Sequence, residues 1–283
     1  MPPTSVVIGS PVQQTAPILE PFLRGLLEQR SPALDLSHVF LDDNHEEASS
    51  ALLQRFTAAV PQVTTVEVER VHRYERDEQT HHWREDLIWR LAALKDAVIE
   101  HALEVEADYL FLVDSDVVLQ PGTIEHLVGL ERDVVSEVFW TRWNLAEEEM
   151  PQVWLRDTYD LAHRHRGEEL SERETALRIR SFLDALREPG TYEVGGLGAC
   201  TLISRSALLR GVRFAEVPNL SFWGEDRHFC IRAGALGVRL HADTHKPPLH
   251  VYRESDLDRV PAALRAGGAP FEDLVDGPVR AGV

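Results

Sequence analysis

Apolar positions along this chain alternate between two rhythms. Short β-branched runs stop abruptly at glycine or acid, and stretches with apolar residues three and four apart follow them. Residues 5–10, SVVIGS, form the first run, closed by Gly9, Ser10 and Pro11. The chain then reads as a loop leading into an amphipathic helix, with Ile18, Phe22, Leu23, Leu26 and Leu27 at helical spacing. LSHVFLDDN (36–44) predicts a second strand ending on Asp42 and Asp43, and VTTVEVER (63–70) a third. Between 83 and 105, Leu87, Ile88, Leu91, Leu94, Val98, Ile99 and Ala102 share one helical face. The run YLFLV then meets Asp114, Ser115 and Asp116. This alternation predicts an α/β fold, a Rossmann-type, mostly parallel sheet flanked by helices. Ligands of such sheets bind beyond the carboxyl ends of the strands, where these glycine and acid clusters would gather.

The second half has a different texture. Residues 144–190 are highly charged and read as mostly helical, with Ser171 and Glu174 spaced as a capping box and Ile179, Phe182, Leu183 and Leu186 as one stripe. Residues 191–209 read as loop, strand and short helix, with Gly195, Gly196 and Gly198 before the strand. A helix is predicted from near Glu225, its carboxylates at the positive end of the dipole. Residues 238–253 alternate and are rich in histidine. The expected organisation is one domain over 1–255, divided near 132, with a helical insertion at 144–190 and a tail or lid at 256–283.

Composition narrows the function classes. A formal net charge of −18 argues against a general nucleic-acid or anionic-membrane binder. Two cysteines, Cys200 and Cys230, are too few for a disulfide framework and read as buried thiols of a reducing compartment. No apolar run approaches the roughly 20 residues of a membrane span, and the first residues lack the basic start of a signal peptide. These features predict a cytoplasmic protein; a homodimer is left open.

Candidate chemistry starts at Asp114 and Asp116. On extended chain they point the same way, and a divalent cation, Mn²⁺ or Mg²⁺, would cancel their repulsion with hard oxygen ligands. In WGEDRHF, Trp223 and Gly224 precede Glu225 and Asp226, putting an aromatic face beside carboxylates able to move a proton. His245 and His250 follow, either able to complete a metal site. His250 is preferred, because alternation should turn it toward the sheet.

D-x-D after a strand, GGLGACTLISRSAL, WGEDRHFCIRAGALG and a later histidine, in that order over roughly residues 5–255, resemble the nucleotide-sugar glycosyltransferases of GT-A fold. The likeness is nearest to the broad family 2 type, with Glu225, Asp226, Phe229 and Arg232 matching its E-D-x-x-[FL]-x-x-R pattern. The resemblance implies a nucleotide-sugar-binding half at 1–132 and an acceptor-side half at 133–255. It implies Asp116 on the metal, Asp114 on ribose or metal-bound water with Ser115 beside it, and Asp226 as base. It also implies Asp42 or Asp43 on the nucleoside. The Arg-Asn pair usual on the helix before D-x-D is missing, which leaves Arg84, Arg90 or Lys95 for the donor phosphates. Hexosyl transfer from a nucleoside-diphosphate sugar, UDP first and GDP second, to an acceptor hydroxyl is then expected. A single base opposite the leaving group predicts inversion.

Gly195 and Gly196 either let backbone approach the donor sugar or serve a turn before the strand. Trp143, with Trp140 and Trp154, could stack on an acceptor, two of the three being expected to pack instead. His81, His82, His163 and His165 read as surface residues. Two rivals remain: a haloacid-dehalogenase-type phosphatase with Asp114 as nucleophile and Asp116 as acid/base, and a non-catalytic sugar-nucleotide-binding relative. The phosphatase motif normally lies on the first strand of its domain, whereas here at least two strand–helix units precede it. A sugar-phosphate nucleotidyltransferase would need a Gly-rich, basic loop that VVIGSPVQQTAP lacks.

Overall fold

The computed structural model describes residues 2–71, 73–75, 77–78, 81–221, 224–265, 270, 271 and 273. The apolar runs become the strands of one eight-stranded sheet. These are β1 (Thr4–Val12), β2 (Leu34–Asp42), β3 (Val63–Glu67), β4 (Tyr109–Val113), β5 (Val134–Glu137), β6 (Thr191–Val194), β7 (Cys200–Ser204) and β8 (Leu240–Asp243). Their order across the sheet is β6-β8-β5-β7-β4-β1-β2-β3. β3, β2, β1 and β4 run parallel, β7 is antiparallel to both its neighbours, β5 and β8 are parallel, and β6 closes the edge antiparallel.

Alternation along the strands divides the core into two layers. On one face Val7, Val39, Leu110 and Leu112 pack with Val98, Ile99 and Phe229. On the other, Val6, Ile8, Phe40 and Phe111 pack with Phe22, Leu23 and Phe56. The second face is covered by α1 (Ala16–Leu27) and α2 (Glu47–Ala59), a helix the sequence pattern had left unassigned. The first is covered by α3 (Glu85–Glu104) and, after the short α4 (Thr123–Gly129), α5 (Glu172–Ala185) and α6 (Arg205–Leu209), by α7 (Glu225–Ala235). No helix among the described residues is long and apolar enough to cross a membrane.

The first half follows its predicted elements within a few residues; the second departs from them. Within 144–190 helix is confined to α5, which the Ser171–Glu174 capping box starts as predicted. α5 buries no residue fully, so only its last turn, through Leu186, reaches the core. Residues 144–171 instead form turns and two short ribbons. Met150–Pro151 pairs with Trp140–Thr141, and Val153–Trp154 pairs with Gly196–Leu197. Their charge density leaves too few apolar positions for a helical stripe. The described part of the tail is packed down: Val260 lies with Ile18, Val118 and Val251, and the Phe271 ring meets Phe56 at 5.3 Å.

Candidate active site

β4 ends at Val113, and the chain turns through Asp114–Asp116, with Val117 N–H donating to the Asp114 carbonyl at 3.1 Å. Val117–Val118 then pairs antiparallel with Leu249–His250. That ribbon lays His250 beside the acids, with Nε2 3.4 Å from Asp116 Oδ1. On the far side of the ring, Nδ1 lies 2.7 Å from Thr141 Oγ1, in a buried contact. A proton kept on Nδ1 by Thr141 leaves the Nε2 lone pair for a cation. Asp114, Asp116 and His250 all line one cavity of about 420 Å³. Two carboxylates and an imidazole nitrogen directed into it suit Mn²⁺ or Mg²⁺.

α3 contributes the compensating charge. Lys95 lies on the helix's apolar face, between Ala92 and Val98, and is fully buried. Its Nζ donates to Glu225 Oε1 at 2.7 Å and Asp226 Oδ1 at 3.1 Å, and lies 3.9 Å from Asp114 Oδ1. Burial alone would lower the ammonium's pKa, but Asp226, Glu225 and Asp114 raise it well above the ordinary range, so it stays charged. Burial pushes Asp114 up to about 7, with Asp116, Asp226 and Glu225 adding to the shift and Lys95 opposing it. Burial likewise pushes Asp226 up to about 6 against the pull of Lys95. Gly224 caps the start of α7 with a φ of 111° that only glycine adopts without strain, and this turn brings Glu225 and Asp226 to the same cavity.

Two lobes flank these acids. Toward β1 and β2, Pro11, Gln13, Asp43, Tyr74, Trp83 and Arg90 line a slot that includes Asp114, Ser115 and Asp116. Arg90 grips Asp43 with two hydrogen bonds of 3.2 and 2.8 Å, and the Tyr74 and Trp83 rings lie 4.7 Å apart. Toward the second half, Trp143, Gln152, Tyr159 and Tyr252 form the wall. Arg253 braces that wall by donating to the carbonyls of Glu78, Arg142 and Trp143.

Several predicted site residues lie elsewhere. Gly9 is buried within β1, where a Cβ would collide with Val98, so its smallness serves helix–sheet packing. Ser10 is fully buried, and its hydroxyl donates to the Pro11 carbonyl. Asp42 folds back to accept from the Asn44 backbone and side-chain N–H groups, which leaves Asp43 to face the slot. Arg84 stays outside, paired with Asp86 in solvent. Lys95 is sealed under the acids and is no phosphate grip. Gly195 and Gly196 press against Leu155 and the Trp154 ring, so they serve a ribbon rather than an open site. His245 hydrogen-bonds Asp243 and lines neither lobe. Trp223 lies outside the described residues. Of the three tryptophans, Trp154 is buried, Trp140 stacks under the Arg187 guanidinium, and Trp143 reaches the cavity.

His81 corrects a surface expectation. It is buried, hydrogen-bonded to Tyr74, and stacked on Tyr252 with 3.6 Å between centroids. With Gln13, Tyr74, Trp83, Tyr159 and Tyr252 it belongs to a set of cavity residues that the sequence pattern did not single out. The density of His and aromatic residues in RVHRYERDEQTHHW was the available signal.

Against this geometry, comparison with known proteins gives a consistent result. Residues 3–147, just over half of the chain, match the model of the glycosyltransferase family 25 N-terminal domain. A "Glycosyltransferase 25 family member" of Aedes aegypti is 28% identical over 173 residues, 59% of this chain. That alignment spans only 27% of the mosquito protein, so the chain corresponds to about a quarter of its relative's length. Two structures of S. aureus TarS superpose with TM-scores of 0.53 and 0.51, at 13% and 12% identity. Each covers 87% of this chain, and 36% and 59% of the respective TarS chains. The fold is that of the GT-A glycosyltransferases.

Proposed function

From the premise that this chain belongs to glycosyltransferase family 25, we propose that it transfers a hexose from a nucleoside-diphosphate sugar to an acceptor hydroxyl, with metal assistance and inversion. The observation that carries this reading is the convergence of Asp114, Asp116, His250 and Asp226 on one cavity, with Lys95 neutralising the acids from beneath. UDP is the favoured nucleotide and GDP the next. Family membership argues against the phosphatase alternative, and a complete acid set argues against a binding-only relative.

In this reading the slot between Asp43, Arg90, Tyr74 and Trp83 takes the nucleoside, and Asp43, fixed by Arg90, accepts from it. Asp116 and His250 would hold the cation directly, with Asp114 on it or on its water. A divalent ion there supplies Lewis-acid stabilisation to the leaving diphosphate. Asp226 takes the acceptor's proton as the hydroxyl oxygen bonds to the anomeric carbon and the sugar–phosphate bond breaks, its electron pair leaving with the diphosphate. Lys95 fixes one Asp226 oxygen; the other makes no hydrogen bond among the described residues and is the one offered to the acceptor. Trp143, Tyr159 and Tyr252 give the acceptor side flat apolar faces. Cys200 and Cys230 are both buried free thiols, which fits a reducing, cytoplasmic compartment.

Thermal unfolding with UDP, GDP, dTDP and CDP, each with Mn²⁺ or EDTA, tests the donor side. A nucleotide at about a hundred times its Kd stabilises by roughly 2.7 kcal/mol. One nucleotide should do so only with Mn²⁺, and Asp116→Asn should abolish the shift. A shift that persists in EDTA, or in the variant, would overturn the metal-bridged reading.

A further inference from the structure

A second cluster of ligand-type side chains lies outside the cavity. His126 on α4 places Nε2 2.9 Å from Asp243 Oδ1, and His245 places Nδ1 3.1 Å from both Asp243 oxygens. The three donor atoms lie within 4.8 Å of one another. The Asp243 side chain is fully buried, while the imidazoles are 24% and 41% exposed, so the cluster opens to solvent through its histidines.

A carboxylate accepting from two imidazoles can simply end a strand. What distinguishes this cluster is Glu137. It pairs in register with Asp243 on the neighbouring parallel strand, so both side chains stand on the same face. Glu137 is fully buried beside the Asp243 carboxylate; its Oε2 accepts from the Lys246 backbone N–H at 3.3 Å, while Oε1 meets no N–H or hydroxyl donor among the described residues. Two buried carboxylates side by side, one of them with an unmet oxygen, call for a cation as Asp114 and Asp116 do. The side-chain nitrogens hydrogen-bonded to Asp243 are imidazoles, which serve as metal ligands in their neutral form, while the Lys246 ammonium is turned to the Pro121 carbonyl.

We propose that His126, Asp243 and His245 form a second divalent-cation site, with Glu137 completing its carboxylate side. Two imidazoles with carboxylate oxygens suit a zinc-class ion, typically four-coordinate with bonds of about 2.0–2.2 Å. The bound ion ties α4, the end of β8 and the 244–250 segment together. That segment leads directly to His250, so the site braces the loop carrying the cavity's histidine. It is a positioning site, separate from the donor-binding chemistry.

The test uses tag-free, EDTA-stripped protein in which Asp114→Asn and Asp116→Asn have removed the two cavity carboxylates that stand beside His250. Equilibrium dialysis with Zn²⁺ should find one equivalent bound, and adding either His126→Gln or His245→Gln should weaken it at least tenfold. Both histidines are partly exposed, so circular dichroism should report an unchanged fold. An independent measurement avoids histidine variants: Co²⁺ should give the intense visible absorption of a four-coordinate ion, erased by Zn²⁺. No bound zinc, affinity indifferent to both histidines, or only the weak spectrum of a six-coordinate ion would overturn the proposal. No sugar nucleotide enters the assay, so its failure leaves the transferase reading standing, and failure of that reading leaves the zinc site standing.

Discussion

Two groups of carboxylates sit at the carboxyl ends of this sheet, one partly buried and one sealed, and they are compensated in opposite ways. Asp114, Glu225 and Asp226 surround the ammonium of Lys95, which has no exposed surface and no neutral state within reach. Asp243 faces the partly exposed imidazoles of His126 and His245, with Glu137 beside it on the neighbouring strand. A fixed buried charge sets the electrostatics of a reaction site permanently, which suits an acid that must stay ionised to take a proton. Exchangeable imidazoles leave room for an ion to come and go.

The sharpest way to break this contrast is to remove each compensating group in turn. Lys95→Met leaves the buried Glu225 and the partly buried Asp114 and Asp226 without their cation, and breaking the buried Lys95–Glu225 pair this way costs roughly 3–5 kcal/mol. Urea unfolding at neutral pH should show it. Without the ammonium the Asp114 and Asp226 carboxyls, already raised by burial, rise further above their unfolded values. The folded variant then binds more protons than the unfolded chain, so its deficit against wild type should narrow as pH falls from about 8 to about 5. A deficit constant across that range would mean that lost packing, not charge, is responsible. His126→Gln in metal-free protein is the counterpart with the smaller effect. Its partner has other donors in Thr191 Oγ1 and the His245 backbone, and a partly exposed pair contributes about 0.2–1 kcal/mol. A loss as large as that of Lys95→Met would erase the distinction between the two clusters.

The same contrast explains what could be read from the sequence. β1 to β4 and α3 are legible because strand and helix periods alternate cleanly and end on glycine or acid. Asp114, Asp116 and Asp226 are legible for a related reason: charge directly after an apolar run, or at a helix start, stands out against its surroundings. Lys95 has a helical signal of its own, since it replaces an apolar residue on the stripe formed by Leu91, Ala92, Val98 and Ile99. Its partners could not be read, because Glu225 is 130 residues away. His81, Tyr74 and Tyr252 were missed for that reason too. Tyr74 and His81 come from an aperiodic segment and Tyr252 from the end of an alternating one, and only tertiary contacts join them, such as those Arg253 makes to Glu78, Arg142 and Trp143. Gly9, Gly195 and Gly196 show the converse error. A glycine near a strand end suggests a ligand's approach, but here the close neighbours are Val98, Leu155 and Trp154.

The central claim is that Asp226, held by Lys95, is the base for sugar transfer. The measurement that tests it most directly is kcat across pH for wild type and Asp226→Asn, at saturating Mn²⁺ with the donor and acceptor found by screening. Wild-type turnover should fall as pH drops through about 6, where the carboxylate takes up its proton. Asp226→Asn should still bind donor but turn over about 10²–10⁴-fold more slowly, without that acidic limb. A variant that keeps near-normal turnover and the same limb would contradict the assignment and move the proton transfer to another group.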